Sequence, residues 1–263
     1  MSNRITQLFE TKKEGILSIF YTAGFPGVHD TVPLALALAR AGADMIEVGI
    51  PFSDPIADGP VIQQSNKQAI EGGMRVSLLL EQVARIREQT AIPIVLMGYL
   101  NPVLQYGMER FCQDASRAGV DGLILPDMPM AEYLQRYREV FRVNGLLNAF
   151  LISPTTSELR IRAIDSMTEG FIYAVSASST TGARNQFAPE QIEYFERLRL
   201  LNLASPYLIG FGISNANTFA TACRYAAGAI VGSSFIQHVA THGVDPEGIQ
   251  QFIDRLRTKE HGS

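Results

Sequence analysis

The chain has 263 residues, of which 46% are apolar and 18% are charged, and its formal net charge is −4. This composition is typical of a folded protein with a sizeable core, and the scattered basic residues form no patch that would indicate nucleic-acid binding. No apolar run approaches the roughly 18 residues of a membrane span, and the N-terminal segment lacks the apolar region of a signal peptide. We therefore expect a cytoplasmic protein that contacts neither nucleic acid nor membrane.

Residues 3–13, NRITQLFETKK, predict a helix before the first strand. Strand-like apolar runs then follow, and amphipathic segments with helical periodicity separate nearly every pair. Several of these helical segments end at Gly, which commonly terminates helices. In chain order the strand-like runs are ILSIFYTAG, DMIEVGI, PIVLMGY, DGLILPD, LLNAFLIS, GFIYAVS, YLIGFG and AGAIVGS.

Eight such units without a linker-like break predict a single α/β domain, residues 1–263, with the (β/α)8 TIM-barrel fold and an extra N-terminal helix. A doubly wound open sheet is the alternative. The strand number and the lack of an early G-x-G-x-x-G motif favour the barrel. Functional side chains of a barrel lie at the carboxyl ends of its strands and in the loops that follow them.

The second predicted strand, DMIEVGI, carries a carboxylate. Ile46, Val48 and Ile50 share one face, suited to packing against helices, so Glu47 should point into the barrel. Burial there would raise the pKa of Glu47 toward the range useful for proton transfer. A structural glutamate paired with a buried arginine is an equally good interpretation of the alternation alone.

The loop after this strand, residues 51–60, contains two more carboxylates, Asp54 and Asp58. Its three prolines restrict the backbone, so these side chains can be held in defined positions. However, Asp58 followed by Gly59 is also typical of a plain turn, and that simpler interpretation is favoured when the loop is considered by itself.

The last two predicted strands end in glycine-rich segments, GFGIS at 210–214 and VGSS at 231–234, and a short helix begins in the second of them. Such a backbone, with a helix N-terminus at the barrel mouth, commonly binds phosphate. TTGAR at 180–184 adds another Gly and two hydroxyl groups. Backbone N–H groups and the helix dipole would do most of the binding, because the segments at 210–214 and 231–234 contain no Lys or Arg.

The residue types that are missing narrow the chemistry. No lysine lies at a predicted strand end, so a Schiff-base mechanism has no nucleophile. The histidines form no pair at strand ends, and Cys112 and Cys223 form no motif, so we expect two reduced thiols, no metal and no cofactor. Carboxylates would then act as acid and base on a phosphorylated substrate. If a carbon–carbon bond breaks, that substrate must itself accept the electrons.

EVGIPFSDPIADGP at 47–60, followed by IQQSNKQAIEGG, resembles the second strand and loop of tryptophan synthase alpha chains. MGYLNPV, GLILPDMP, YAVSASSTTGAR, GFGIS and IVGSS follow in the order and spacing of that family, so the resemblance covers essentially the whole chain. It implies cleavage of indole-3-glycerol phosphate to indole and glyceraldehyde 3-phosphate. It also implies a tryptophan synthase beta chain as partner, in an α2β2 heterotetramer, which receives the indole and makes tryptophan.

The resemblance also implies individual roles. Glu47 is similar to the general acid–base of the family, which protonates indole C3 and takes the proton of the glycerol hydroxyl. Asp58 is similar to the residue that holds the indole N–H. Protonated indole is then the electron acceptor. Tyr173 is similar to a tyrosine that orients Glu47, whereas Asp54 is structural or lies at the beta-chain interface. Other matching positions line the indole pocket (Phe20, Tyr99, Ile124 and Phe211) or the phosphate cradle (Gly182, Gly212, Gly232 and Ser233).

The loop after the sixth predicted strand departs from the family pattern. Ser179-Thr180-Thr181-Gly182 stands where the family usually has G-V-T-G, which bears on the flexibility of this loop as a lid. Thr181 and Gly182 keep the matching substrate positions, and we expect Thr181 to bond Asp58 when the lid closes. Residues 177–188 should be mobile when the site is empty.

Three other functions share parts of this pattern. A free-standing indole-3-glycerol phosphate lyase would keep every catalytic residue and release indole to solvent. An inactive barrel kept as a regulatory binding subunit would not need both Glu47 and Asp58, and is disfavoured for that reason. Of the related phosphate-binding barrels in the same pathway, a synthase or an isomerase, the synthase is disfavoured by the lack of a lysine at a strand end.

Overall fold

A computed structural model describes residues 3–176 and 186–258 of the chain. Its strands are all parallel and belong to one sheet. They are β1 (Ile16–Thr22), β2 (Met45–Gly49), β3 (Ile94–Met97), β4 (Gly122–Ile124), β5 (Leu147–Asn148), β6 (Leu151–Ile152), β7 (Ile172–Val175), β8 (Tyr207–Gly210) and β9 (Gly228–Val231). Their order in the sheet is β5-β4-β3-β2-β1-β9-β8-β7-β6, so the two strands at the ends of that order are neighbours along the chain.

The sheet closes because β5 and β6 are two pieces of one interrupted strand. Between them, the Ala149 N–H donates to the Leu123 carbonyl in β4 at 3.0 Å, and the Phe150 carbonyl accepts from the Tyr173 N–H in β7 at 2.9 Å. The strand therefore pairs with β4 on one side and β7 on the other. This confirms the predicted eight-stranded barrel, in which β7, β8 and β9 are the sixth, seventh and eighth strands of the sequence prediction.

Helices follow the strands around the outside, and the predicted N-terminal helix is present as α1. None of the described helices is long and apolar enough to cross a membrane. They are α1 (Arg4–Thr11), α2 (Thr31–Ala41), α3 (Pro60–Glu71), α4 (Val76–Arg87), α5 (Leu100–Tyr106), α6 (Met108–Ala118), α7 (Met130–Glu132), α8 (Arg138–Val143), α9 (Glu158–Asp165), α10 (Pro189–Leu200), α11 (Ala216–Tyr225), α12 (Ser233–His242) and α13 (Pro246–Arg257), with a π-helical segment, Tyr133–Tyr137, between α7 and α8.

A buried carboxylate fixes α1 near the amino ends of the strands. Asp121, 2% exposed, lies just before β4 and pairs with Arg4 of α1 and Arg87 of α4, each at 2.9 Å. Its Oδ2 also accepts from the Ile94 N–H at the start of β3, at 2.8 Å. These bonds tie the N-terminal helix to one end of the barrel, which leaves the opposite end, where the strands terminate, as the location of the candidate site.

Residue alternation on β2 agrees with the prediction. Ile46, Val48 and Ile50 are buried and share one face, and Glu47 lies on the other. Strand register places Glu47 beside Phe20 of β1 and Val95 of β3, which are both inward-facing positions. The carboxyl group is therefore carried on the inner wall of the barrel.

Candidate active site

Glu47 is completely buried, and it has one hydrogen-bond donor among the described residues. Ser18 Oγ donates to its Oε1 at 2.7 Å, whereas Oε2 has no hydrogen-bond partner there. Burial raises the pKa of Glu47 to about 8, and the Ser18 hydrogen bond acts in the opposite direction. The described part of the chain holds no arginine paired with this carboxyl group, so the structural alternative for Glu47 does not hold there.

Tyr173 of β7 belongs to the same cluster. It is 2% exposed, and the pKa of its phenol is raised, first by burial and then by the charges of Glu47 and Asp58. Both carboxyl groups therefore lie close enough to act electrostatically on the tyrosine. Gly210 of β8 leaves room for the ring, because a Cβ at that position would overlap the Tyr173 hydroxyl. The structure thus brings the three predicted catalytic residues together.

The loop after β2 is cross-linked to its surroundings as well as stiffened by proline. The Phe52 N–H donates to Asn66 Oδ1 of α3 at 3.1 Å, and Asn66 is itself buried. Further along, the Ala57 N–H donates to the Tyr99 hydroxyl at 2.9 Å. These bonds fix the loop against the elements on both sides of it, next to the position of Asp58.

Asp58 is half-buried at the end of this loop. Its N–H donates to the Pro55 carbonyl at 3.0 Å, so the backbone does make a turn. The carboxyl group is nevertheless perturbed: burial raises its pKa to about 6, and a hydrogen bond with the Tyr99 side chain lowers it. At neutral pH, Asp58 is mainly ionised and Glu47 is mainly protonated. Two carboxyl groups whose pKa values are separated by their environments are typical of an acid–base pair.

Apolar side chains lie on β1 and at the ends of neighbouring strands. Phe20 is in register with Glu47, and Ile124 ends β4 in a fully buried position. Phe211 follows β8 and meets the Tyr173 ring edge to face, with 6.2 Å between the ring centroids. The residues predicted for an indole pocket therefore lie on β1, at the end of β4 and in the loops after β3 and β8.

Phe211 has a backbone that a non-glycine residue rarely adopts. Its φ is +67°, in the left-handed region. Ser176 Oγ, at the end of β7, donates to its carbonyl at 2.7 Å, and Gln191 of α10 donates to the Ser176 carbonyl at 3.1 Å. These two supporting residues were missed in the sequence, where a serine directly after an apolar strand was the available signal.

The predicted phosphate cradle lies where β8 and β9 end. Gly212 has a φ of +74°, which glycine adopts without strain, and Gly232 precedes Ser233, the first residue of α12. Ser234 Oγ donates to the Ile213 carbonyl at 3.3 Å and joins the two segments. The first N–H groups of α12 have no partner within the helix and are suited to an anion.

Some predictions fall outside the described residues. Thr181, Gly182 and the Ser179-Thr180 departure all lie in 177–185, as does most of the segment predicted to be mobile. Within residues 3–176 and 186–258, no three His, Cys, Asp or Glu side chains cluster as metal ligands, and Cys112 and Cys223 are free thiols.

The chain is similar to known proteins along nearly its whole length. Residues 6–261 match the family model for the tryptophan synthase alpha chain. The tryptophan synthase alpha chain of Parabacteroides distasonis is 49% identical over 255 residues, which cover 97% of this chain and 99% of that one. Tryptophan synthase subunit alpha from Legionella pneumophila has a TM-score of 0.87 at 33% identity, with 98% of each chain covered. A chain of the tryptophan synthase complex from Pyrococcus furiosus has a TM-score of 0.84 at 32% identity, with 93% of this chain and 98% of that one covered.

The buried carboxyl group should make stability depend on pH. Because the pKa of Glu47 is raised from 4.5 to about 8, the folded state holds an extra proton between those values and loses stability as the pH rises through them. The free energy of unfolding of Glu47→Gln minus that of wild type should therefore increase by a few kcal/mol as the pH rises from about 5 to about 9. Urea unfolding at several pH values measures this difference.

The matched control is Glu158→Gln, which removes an exposed carboxylate paired with Arg162 on α9. Because this carboxylate is exposed, its removal should change the free energy of unfolding far less than Glu47→Gln does across this window. A difference between Glu47→Gln and wild type that is independent of pH would contradict the raised pKa.

Proposed function

Because the chain belongs to the tryptophan synthase alpha chain family, we propose that its Glu47 and Asp58 cleave indole-3-glycerol phosphate as an acid–base pair. One observation carries the proposal: Glu47 is fully buried with only a neutral hydroxyl as its described hydrogen-bond partner, while Asp58 is half-buried. Burial therefore raises the pKa of Glu47 to about 8 and that of Asp58 to about 6. A general acid must hold its proton at the working pH, whereas a carboxylate that accepts an N–H must have lost its own.

The reaction begins with proton transfer from Glu47 to indole C3. The ring becomes an indolenine, and the Asp58 carboxylate accepts a hydrogen bond from the ring N–H and stabilises its positive charge. The bond from C3 to the glycerol carbon then breaks, and its electron pair returns to the ring. The adjacent hydroxyl loses its proton to the ionised Glu47 and becomes the aldehyde of glyceraldehyde 3-phosphate. Glu47 ends the cycle protonated, so no net proton is consumed.

The remaining residues bind and place the substrate. Phe20, Ile124, Phe211 and Tyr99 provide the apolar walls for the indole ring, and Tyr173 orients the acid. The phosphate is bound by the backbone at Gly212, Gly232 and Ser233, together with Gly182 from the segment after β7, whereas Thr181 of that segment bonds Asp58. This division is supported by the strand positions: Phe20 is in register with Glu47, whereas Gly212 and Gly232 follow the carboxyl ends of β8 and β9.

We further propose that a beta chain binds beside Asp54 and receives the indole in an α2β2 heterotetramer. Ile56, in the same loop, is 88% exposed, which is unusual for a large apolar side chain. A cavity of about 510 Å³ beside it is lined by residues of this loop and of α3, including Lys67. A partner bound here would contact the loop that carries Asp58, so docking could alter catalysis. The Pyrococcus furiosus relative was solved as a tryptophan synthase complex.

Two wider features complete the proposal. The closed barrel supports one domain over residues 1–263. The family's role in making an amino acid supports a cytoplasmic location.

The free-standing lyase is the second candidate, since it would use the same carboxyl groups. It differs only in lacking a beta-chain partner at the loop that carries Ile56.

Removing either carboxyl group should abolish most of the activity. Glu47→Gln loses the acid and Asp58→Asn loses the negative charge that stabilises the protonated ring, so each should lower indole production by about 10²- to 10⁴-fold. Wild-type kcat/KM should fall below about pH 6, as Asp58 is protonated, and above about pH 8, as Glu47 ionises. Chromatographic detection of indole gives these rates. Either variant retaining more than about a tenth of wild-type turnover would refute its assignment.

The phosphate cradle can be tested at Gly232. A Cβ there would lie 3.4 Å from the Phe20 ring, an ordinary contact, so Gly232→Ala is a suitable control. Gly232→Asp adds a negative charge where the phosphate should lie and should weaken glycerol 3-phosphate binding by about 10²-fold or more. Calorimetry measures both affinities. Equal binding by the two variants would move the phosphate elsewhere.

The partner surface can be tested at Ile56. Ile56→Asp should weaken beta-chain binding at least about tenfold, because it places a charge in an apolar contact. Leu159→Asp is the control, since Leu159 is also exposed, at 84%, but lies on α9. Titration calorimetry measures the affinity of both variants for the beta chain.

Adding the beta chain should also accelerate cleavage by the wild type. Identical activity with and without it would favour the free-standing lyase.

A further inference from the structure

We propose that Ser18 is a positioning residue for the lyase reaction: it holds Oε1 of Glu47, so that Oε2 is the oxygen that exchanges protons with the substrate. This inference rests on the proposed acid–base role of Glu47. It assigns different tasks to the two oxygens of one carboxyl group, and it places a residue of β1 in the catalytic arrangement without contact to the substrate.

The position of Ser18 in the sheet determines which group its hydroxyl can reach. Ser18 is fully buried and pairs in register with Met45, while Phe20 pairs with Glu47. Ser18 therefore lies one inward-facing position nearer the amino end of the barrel than Glu47. Its hydroxyl approaches the carboxyl group from the side away from the mouth, where it donates to Oε1 at 2.7 Å. The substrate must enter from the other side.

The second oxygen of the carboxyl group, Oε2, is the one that can exchange a proton with the substrate. Glu47 Oε2 is buried and has no hydrogen-bond partner among the described residues. An unpaired buried polar atom is costly, so its persistence points to a partner that arrives with the substrate. Because Oε1 accepts the Ser18 hydrogen, the acidic proton of neutral Glu47 resides on Oε2. Ser18 can keep donating to Oε1 after that proton has left, so one bond holds the carboxyl group throughout the cycle.

A neighbouring hydroxyl on the same strand shows that the contact is selective. Thr22 is also buried on the inner face of β1, but its hydroxyl pairs with the Ser65 hydroxyl of α3 at 2.7 Å. The charge of Glu47 raises the pKa of the nearby Tyr173, yet within the described residues the hydrogen bond to that carboxyl group comes from Ser18. Oε1 of the acid is therefore held by Ser18.

Ser18→Ala tests this proposal, because it removes the hydroxyl and leaves space rather than a clash. The ionised form of Glu47 loses a hydrogen bond, so the alkaline limb of the kcat/KM profile should move up by about one to two pH units. The carboxyl group can then rotate, so kcat should fall about 10- to 100-fold. KM should change by less than about threefold, since Ser18 does not touch the substrate.

Ser65→Ala is the matched control: Ser65 is another fully buried serine, and its hydroxyl bonds Thr22 instead of a carboxyl group. It should leave the alkaline limb at its wild-type pH. Ser18→Thr restores a hydroxyl and should return the limb toward that value. If Ser18→Ala folds normally by circular dichroism and keeps both the wild-type limb and kcat, the proposal is overturned.

The proposed function fails in a different way. A Glu47→Gln variant that stays active would remove Glu47 from the mechanism, and the role of Ser18 would go with it. An inactive Glu47→Gln variant beside an unshifted Ser18→Ala profile would overturn the positioning role alone.

Discussion

The burial of one carboxyl group with no counter-ion among the described residues is the constraint on which the site depends. Glu47 lies inside the barrel, and its described hydrogen-bond partner is the neutral hydroxyl of Ser18. Ionisation there is opposed by the loss of water, so the group keeps its proton at neutral pH. A carboxylic acid of this kind can protonate a carbon atom, which an ordinary surface glutamate cannot do at the same pH.

The loop after β2 provides the contrasting environment. Asp58 is only half-buried, and its pKa stays low enough for the ionised form to dominate at neutral pH. Bonds from Phe52 to Asn66 and from Ala57 to Tyr99 hold the loop on both sides. The exposed Ile56 lies in the same loop as Asp58. In the proposed function, a partner bound at Ile56 would therefore contact the short segment that carries Asp58.

Local patterns predicted much of this arrangement, and contacts between distant segments account for the rest. Alternation along β2 correctly placed Ile46 and Val48 on one face and Glu47 on the other, because neighbouring strand residues always point to opposite sides. The bond from Ser18 to Glu47 depends on the register between β1 and β2, which neither segment specifies by itself. The only local indication of this bond was a hydroxyl residue within an apolar strand, two positions before Phe20 and therefore on the same face of the strand.

Two other features lay beyond local patterns. The left-handed backbone of Phe211 depends on a hydrogen bond from Ser176 across the sheet. The turn at Asp58 was correctly recognised as a turn, but its raised pKa comes from burial by the surrounding fold. Strand ends, glycine positions and face alternation can thus be derived from sequence, whereas desolvation and hydrogen-bond partners require the packed barrel.

Difference infrared titration of the Glu47 carboxyl group measures its protonation directly. The carbonyl band of the protonated acid is identified as the band that Glu47→Gln removes, and its loss is followed as the pH rises. The midpoint should be about 8, because Glu47 is buried with no counter-ion in the part of the chain that the structure describes. A midpoint near the ordinary value of 4.5 would show that Glu47 is ionised at neutral pH and is not the acid that protonates indole.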